Sequence, residues 1–118
     1  MSKDCVFCKM ARGEIKVDII YENDNFFAFS DAEPKVEGHT LIVPKKHFVN
    51  ILDLPASLGS ELLDAVKAVA EIRLKEGAEG FNILQNNGEV ADQYVMHAHF
   101  HILPRRKDDG KKCHISDK

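Results

Sequence analysis

The sequence predicts an α+β fold: an antiparallel sheet with one long helix packed on one face. Three observations lead there. Residues 17–21 and 26–30 are apolar runs joined by the polar turn Glu22-Asn23-Asp24-Asn25, which reads as a hairpin. Residues 53–77 carry a single long helical pattern, with Leu58, Leu62, Val66, Val69 and Ile72 recurring at i+3 and i+4. The stretch His97-Ala98-His99-Phe100-His101-Ile102-Leu103 alternates histidine with apolar residues, the period of a strand. The order is then hairpin, strand, long helix and two strands. Few long parallel crossovers are available, which favours antiparallel pairing.

Length and composition bound the answer. The 118 residues suffice for one domain with one core, not two, so residues 1–118 are expected to fold as a unit. Hydrophobic content of 44% and charged content of 30% are ordinary for a soluble protein. A net charge of −3 argues against a nucleic-acid-binding surface, which would be basic. No apolar run approaches the ~18 residues of a membrane span. The start, Met1-Ser2-Lys3-Asp4, lacks the apolar core of a signal peptide, and a cytoplasmic protein is expected.

The elements follow in order. Phe7 and Met10 at i, i+3, with Gly13 as a stop, predict a short helix over 6–13. After the hairpin, 31–38 is a loop carrying Pro34, and 39–43 is the third strand, broken by Pro44-Lys45-Lys46-His47. In the long helix Asp53 is the expected cap, Pro55 suits the first turn and Gly77 the stop. Glu61, Asp64, Lys67, Glu71, Arg73 and Lys75 read as its solvated face. Residues 80–85 form the fourth strand, 86–94 a polar loop, and 95–103 the fifth strand, ended by Pro104. The charged run from Lys107 lacks apolar residues, and 107–118 is expected to be a mobile tail.

The chemistry concentrates on the last strand. Residues two apart on a strand project from one face at about 6.6–7 Å spacing. His97, His99 and His101 would thus share a chemical face, and Ala98, Phe100 and Ile102 a structural one. Imidazoles so arrayed suit either a metal or nucleophilic and acid–base work. Cys5 and Cys8 form a C-x-x-C. In a reducing compartment that spacing points to a metal or redox element, yet the pair alone is half a tetrahedral site. Cys113 reads as an ordinary tail residue. His39 and Asp31, read alone, are a strand-end histidine and a turn residue.

The stretch 97–103 fits the His-φ-His-φ-His-φ-φ signature, and the chain resembles the histidine-triad superfamily, in its Hint-like branch of nucleotide-binding hydrolases. Gly38 to His47 reproduces that family's G-H-x-L-[IV]-[IV]-P-K-x-H segment, and Ala28 to Asp31 its A-F-x-D. The resemblance implies a five-stranded antiparallel sheet, paired as a homodimer through the long helix and fourth strand. It implies that His99 is the nucleophile, that His101 contacts phosphate oxygens, and that His39 hydrogen-bonds the triad. It implies that Asp31 takes the ribose hydroxyls, that Phe7, Met10 and Phe29 line a purine pocket, and that Asn86 lies at the phosphate. It further implies a structural zinc held by Cys5, Cys8, His47 and His97. The related transferase branch carries glutamine at the third triad position, so His101 argues for hydrolysis.

One segment departs from the pattern. Family members usually carry Gly-Gln-[Ser/Thr]-Val before the triad, whereas this chain reads Asp92-Gln93-Tyr94-Val95. Asp92 replaces a glycine that permits close backbone approach to phosphate, and Tyr94 carries its hydroxyl further out. Three functions follow: a hydrolase cleaving nucleoside phosphoramidates, acyl-nucleotides or dinucleoside polyphosphates to a nucleoside monophosphate; a nucleotide-binding module with weak or lost activity; or a zinc-binding structural protein.

Overall fold

A computed structural model describes residues 5–111. Helix α1 spans Val6–Ala11 and is followed by strands β1 (Ile19–Glu22), β2 (Phe26–Ser30) and β3 (Thr40–Pro44). Helix α2 spans Gly59–Lys75, and strands β4 (Gly80–Leu84) and β5 (Phe100–Arg105) complete the chain. The five strands form one antiparallel sheet in the order β1-β2-β3-β5-β4. The predicted α+β class and five-stranded sheet are therefore observed.

The sheet is buried on both faces at its centre. Phe26 and Ala28 of β2, Ile42 of β3, and Phe100 and Ile102 of β5 pack against Ala65 and Val69 of α2. Leu58, Leu62 and Val66 pack half-buried against this cluster, as the helical stripe predicts. On the opposite face Phe27, Phe29, Leu41 and Val43 pack with Phe7 of α1. The period of two thus sends alternate residues of β2 and β3 into two separate cores. One faces α2 and the other α1, which is why these strands read as continuous apolar runs rather than alternating ones.

Several boundaries differ from expectation. The long helix is expected from residue 53, but two 3-10 turns, Ile51–Asp53 and Ala56–Leu58, precede α2. Asp53 does not cap α2. It closes a capping box with Asn50 on the first of these turns, and its carboxylate accepts from the Val49 and Asn50 amides. Pro55 then bars a continuous helix across 51–59. At the other end Gly77, at φ +112°, ends the helix as expected.

The fifth strand begins at Phe100 rather than at 95, and it runs through Pro104. Pro104 is tolerated because its position faces Phe81 of the edge strand β4, while β3 pairs with β5 only at 100–102. Residues 107–111, the described part of the expected tail, make hydrogen bonds to the domain. Arg105 holds both Asp109 carboxylate oxygens at 2.9 and 3.0 Å, and the Lys107 amide donates to Glu79 at 2.6 Å. The rest of the expected tail, with Cys113, lies outside the described residues. No helix among the described residues is long and apolar enough to cross a membrane.

Candidate functional site

The site lies on the α1 side of the sheet. His97 and His99 sit in the irregular segment just before β5, His97 in a bend, and His101 sits within β5 beside Leu41 of β3. His39 immediately precedes β3. The antiparallel pairing of β3 with β5 brings His39 to His101 across 62 residues of sequence.

Hydrogen-bond partners assign the protons. The His99 Nδ1 lies 2.8 Å from the His97 carbonyl oxygen, which can only accept. The proton of a neutral His99 is therefore on Nδ1, and Nε2 holds a free lone pair. The Lys35 amide donates to His39 Nδ1 at 3.0 Å, so His39 carries its proton on Nε2. That N–H meets His101 Nδ1 at 2.9 Å, with Asp31 Oδ2 nearby at 3.4 Å. His101 then accepts on Nδ1 and presents Nε2–H as a donor. Burial pushes the His101 pKa down to about 4, with the His99 and His39 imidazoles adding to the effect. Burial also lowers His39, partly offset by Asp31. The relay is thus uncharged at pH 7.

A second cluster adjoins the first. Cys5, the residue before α1, and Cys8 within it approach His97 Nδ1 at 3.2 and 3.5 Å, and Cys8 approaches His47 Nδ1 at 3.3 Å. All four donor atoms lie within 4.8 Å of one another. Tetrahedral zinc bonds of about 2.0–2.3 Å place neighbouring donors roughly 3.3–3.8 Å apart, so these spacings fit the edges of one site. The His97 Nε2–H donates to the Pro44 carbonyl at 2.8 Å, which turns the Nδ1 lone pair toward the two sulfurs. His97 is fully buried, and burial lowers its pKa to about 4, keeping it neutral. The donor set suits zinc and could hold it.

Phe7 lies between the two cysteines and touches both clusters. Its ring meets His97 and His99 edge-on at centroid distances of 5.6 and 5.2 Å, and Phe29 at 5.9 Å. Phe7 and Phe29 are buried in the α1-side core, and Met10 is half-buried beside them. Met10 also lines a groove of about 760 Å³ with Ile15, Val17, Ile19 and Ser30. None of the described histidines lines it.

The loop before β5 is held from within. Gln93, fully buried, accepts from the Gly88 amide at 2.8 Å and donates to the Val49 and Val95 carbonyls at 2.6 and 3.1 Å. Sequence reading assigned Gln93 no role, since polarity in a loop gives no hint of burial. Asp92 stands at φ +70°, in the left-handed region that glycine enters at least cost. The Tyr94 hydroxyl donates to Asp92 Oδ1 at 3.0 Å, and Tyr94 is 78% exposed. Asn86 reaches the Asp92 carbonyl at 3.4 Å.

Fold and site define a small α+β protein built around a cluster of imidazoles beside a Cys2His2 group. Residues 12–108 match the family described as HIT domain, and the chain belongs to that family. It is 44% identical over 107 residues to an uncharacterized HIT-like protein of Methanocaldococcus jannaschii, covering 91% of this chain and 83% of the relative. It is 38% identical over 109 residues to adenosine 5'-monophosphoramidase of Candida albicans, covering 88% and 72%. A Zn-bound histidine triad family protein from Mycobacterium smegmatis superimposes with a TM-score of 0.85 at 36% identity, covering 92% of this chain and 80% of that one.

Proposed function

We propose that this protein hydrolyses nucleotides at the α-phosphorus, acting on nucleoside phosphoramidates, acyl-nucleotides or dinucleoside polyphosphates and releasing a nucleoside monophosphate. The observation that carries this reading is the His99 hydrogen bond to the His97 carbonyl, which holds the proton on Nδ1 and so makes Nε2 the nitrogen that presents a lone pair. The similarity to adenosine 5'-monophosphoramidase of Candida albicans favours phosphoramidates among these substrates.

In the proposed reaction His99 Nε2 bonds to the α-phosphorus and the bond to the leaving group breaks; an amine leaves after taking a proton from solvent, whereas a carboxylate or a nucleotide leaves as its anion. Water then attacks the same phosphorus, the His99–phosphorus bond breaks, and the water's proton goes to solvent. His101, oriented by His39, donates Nε2–H to the phosphoryl oxygens as charge develops. Asp31 accepts the ribose hydroxyls, Phe7, Met10 and Phe29 wall the purine, and Asn86 and Tyr94 border the phosphate and leaving group. Cys5, Cys8, His47 and His97 would hold a zinc ion, which would supply a structural cross-link from α1 to the segment bearing the nucleophile. Thiolate ligation suits the reducing cytoplasm. The exposed apolar residues Leu63 on α2, and Phe81 and Ile83 on the edge strand β4, suit a homodimer across this face.

Incubation with adenosine phosphoramidate followed by acid quench should trap a nucleotidyl-protein, and His99→Ala should abolish both adduct and turnover while still binding AMP. Undiminished hydrolysis in His99→Ala would remove it from the nucleophile role. The left-handed Asp92 with its Tyr94 contact favours a second reading, a nucleotide-binding module of low activity; AMP binding without turnover in the parent protein selects it.

A further inference from the structure

Arg73 reads from sequence as part of the solvated face of α2, yet its side chain is only 12% exposed. It crosses from the helix to the ends of two strands. Its Nε and one terminal nitrogen donate to Thr40 Oγ1 at 3.1 and 2.9 Å, and the same terminal nitrogen reaches Ser30 Oγ at 3.3 Å. The other terminal nitrogen pairs with Glu76 at 2.9 Å. Thr40, fully buried, passes the constraint on by donating to the Gly38 carbonyl at 2.8 Å. Gly38 stands at φ +84°, and a Cβ there would lie 3.4 Å from Arg73 Cδ and 3.2 Å from Pro104 Cγ. Glycine therefore leaves room for the arginine stem behind the sheet.

Ser30 and Thr40 are register partners at the open ends of β2 and β3, and they point to the α2 face. The residues next to them, Asp31 and His39, serve the opposite face. The Asp31 amide donates to the His39 carbonyl at 2.9 Å, and Asp31 Oδ2 lies 3.4 Å from His39 Nε2. The guanidinium thus grips the base of the 31–38 loop from behind, one residue away from both groups on each strand. A planar fork with several fixed donors can hold two hydroxyls from two strands at once, which a lysine ammonium on a flexible stem does less well.

We infer that Arg73 is a positioning residue for the ribose end of the site: by clamping Ser30 to Thr40 it holds the Asp31 carboxylate where a nucleotide's 2'- and 3'-hydroxyls are bound. This inference rests on the nucleotide reading above. Loss of the clamp costs the pre-organisation of Asp31, so it weakens the ribose contact and leaves phosphate and base contacts alone.

The test is the affinity for AMP and for 2',3'-dideoxy-AMP, which lacks both hydroxyls, by calorimetry, on the parent protein, Arg73→Met, Arg73→Lys and Thr40→Val. The parent should prefer AMP by about tenfold or more, the worth of at least one hydrogen bond to a charged acceptor. Arg73→Met and Thr40→Val should weaken AMP toward the dideoxynucleotide value and leave 2',3'-dideoxy-AMP unchanged, with Arg73→Lys in between. Thr40→Val keeps the packed shape, so it reads the clamp even where Arg73→Met lowers stability. Equal weakening of both nucleotides, or an unchanged preference in Thr40→Val and Arg73→Met, overturns the role of Arg73 alone. A parent protein that binds AMP with no preference overturns the ribose role of Asp31, and one that binds neither overturns the nucleotide reading; either removes the inference with it.

Discussion

Gln93 offers a sharp test of how the loop before the histidines is held. Its amide is fully buried and engages three backbone groups: the Gly88 N–H on its oxygen, and the Val49 and Val95 carbonyls on its nitrogen. The partners fix the amide's orientation, since an N–H only donates and a carbonyl only accepts. Gln93→Ala removes all three bonds. At a net 0.5–1.5 kcal/mol each, the loss is about 2–4 kcal/mol, toward the upper end if the freed carbonyls stay dry. Gln93→Glu is nearly isosteric and keeps the acceptor for Gly88, but it sets a carboxylate oxygen against two carbonyl oxygens. It should therefore destabilise more than the alanine variant, by roughly a further 1 kcal/mol or more, as an unpaired buried charge must. Urea unfolding at pH 7 measures both. A glutamate variant as stable as the parent, or more stable than Gln93→Ala, would refute the bonding scheme.

Metal analysis of protein purified without added zinc should find about one ion per chain, the stoichiometry of a single four-donor site. Cys5→Ser should lower both zinc content and melting temperature, whereas chelation that leaves stability unchanged rules the site out. The pH dependence has a defined sign. His101 titrates near 6.5 when unfolded and about 4 when folded, and His39 is also lowered. Their contribution is full above about pH 6.5 and is lost as pH falls toward 4, because the unfolded chain takes up protons first. His101→Gln should flatten the stability profile across that window; an unaltered slope would refute the burial argument. Finally, Asp92→Gly with Tyr94→Ser should raise kcat/KM on phosphoramidates, and a decrease would mean that the loop is adapted to another leaving group.

Much of the architecture was legible because local patterns and tertiary demands agree. The hairpin, the amphipathic stripe of α2 and the Gly77 stop follow from side-chain period and backbone permissiveness. The family follows from His97 to Leu103 together with Gly38 to His47, since alternating histidines backed by core residues have few other uses. What sequence periodicity could not show depends on the folded backbone. The His99 and His39 proton positions are set by nearby backbone groups, the His97 carbonyl and the Lys35 amide, whereas that of His101 is set by His39, which only the β3–β5 pairing brings to it. The start of α2 was misplaced because Asp53 fits two caps locally, and only packing chooses between them. Arg73 and Gln93 were passed over for one reason: a polar side chain carries no mark of burial until the backbone groups and hydroxyls that satisfy it have been folded around it.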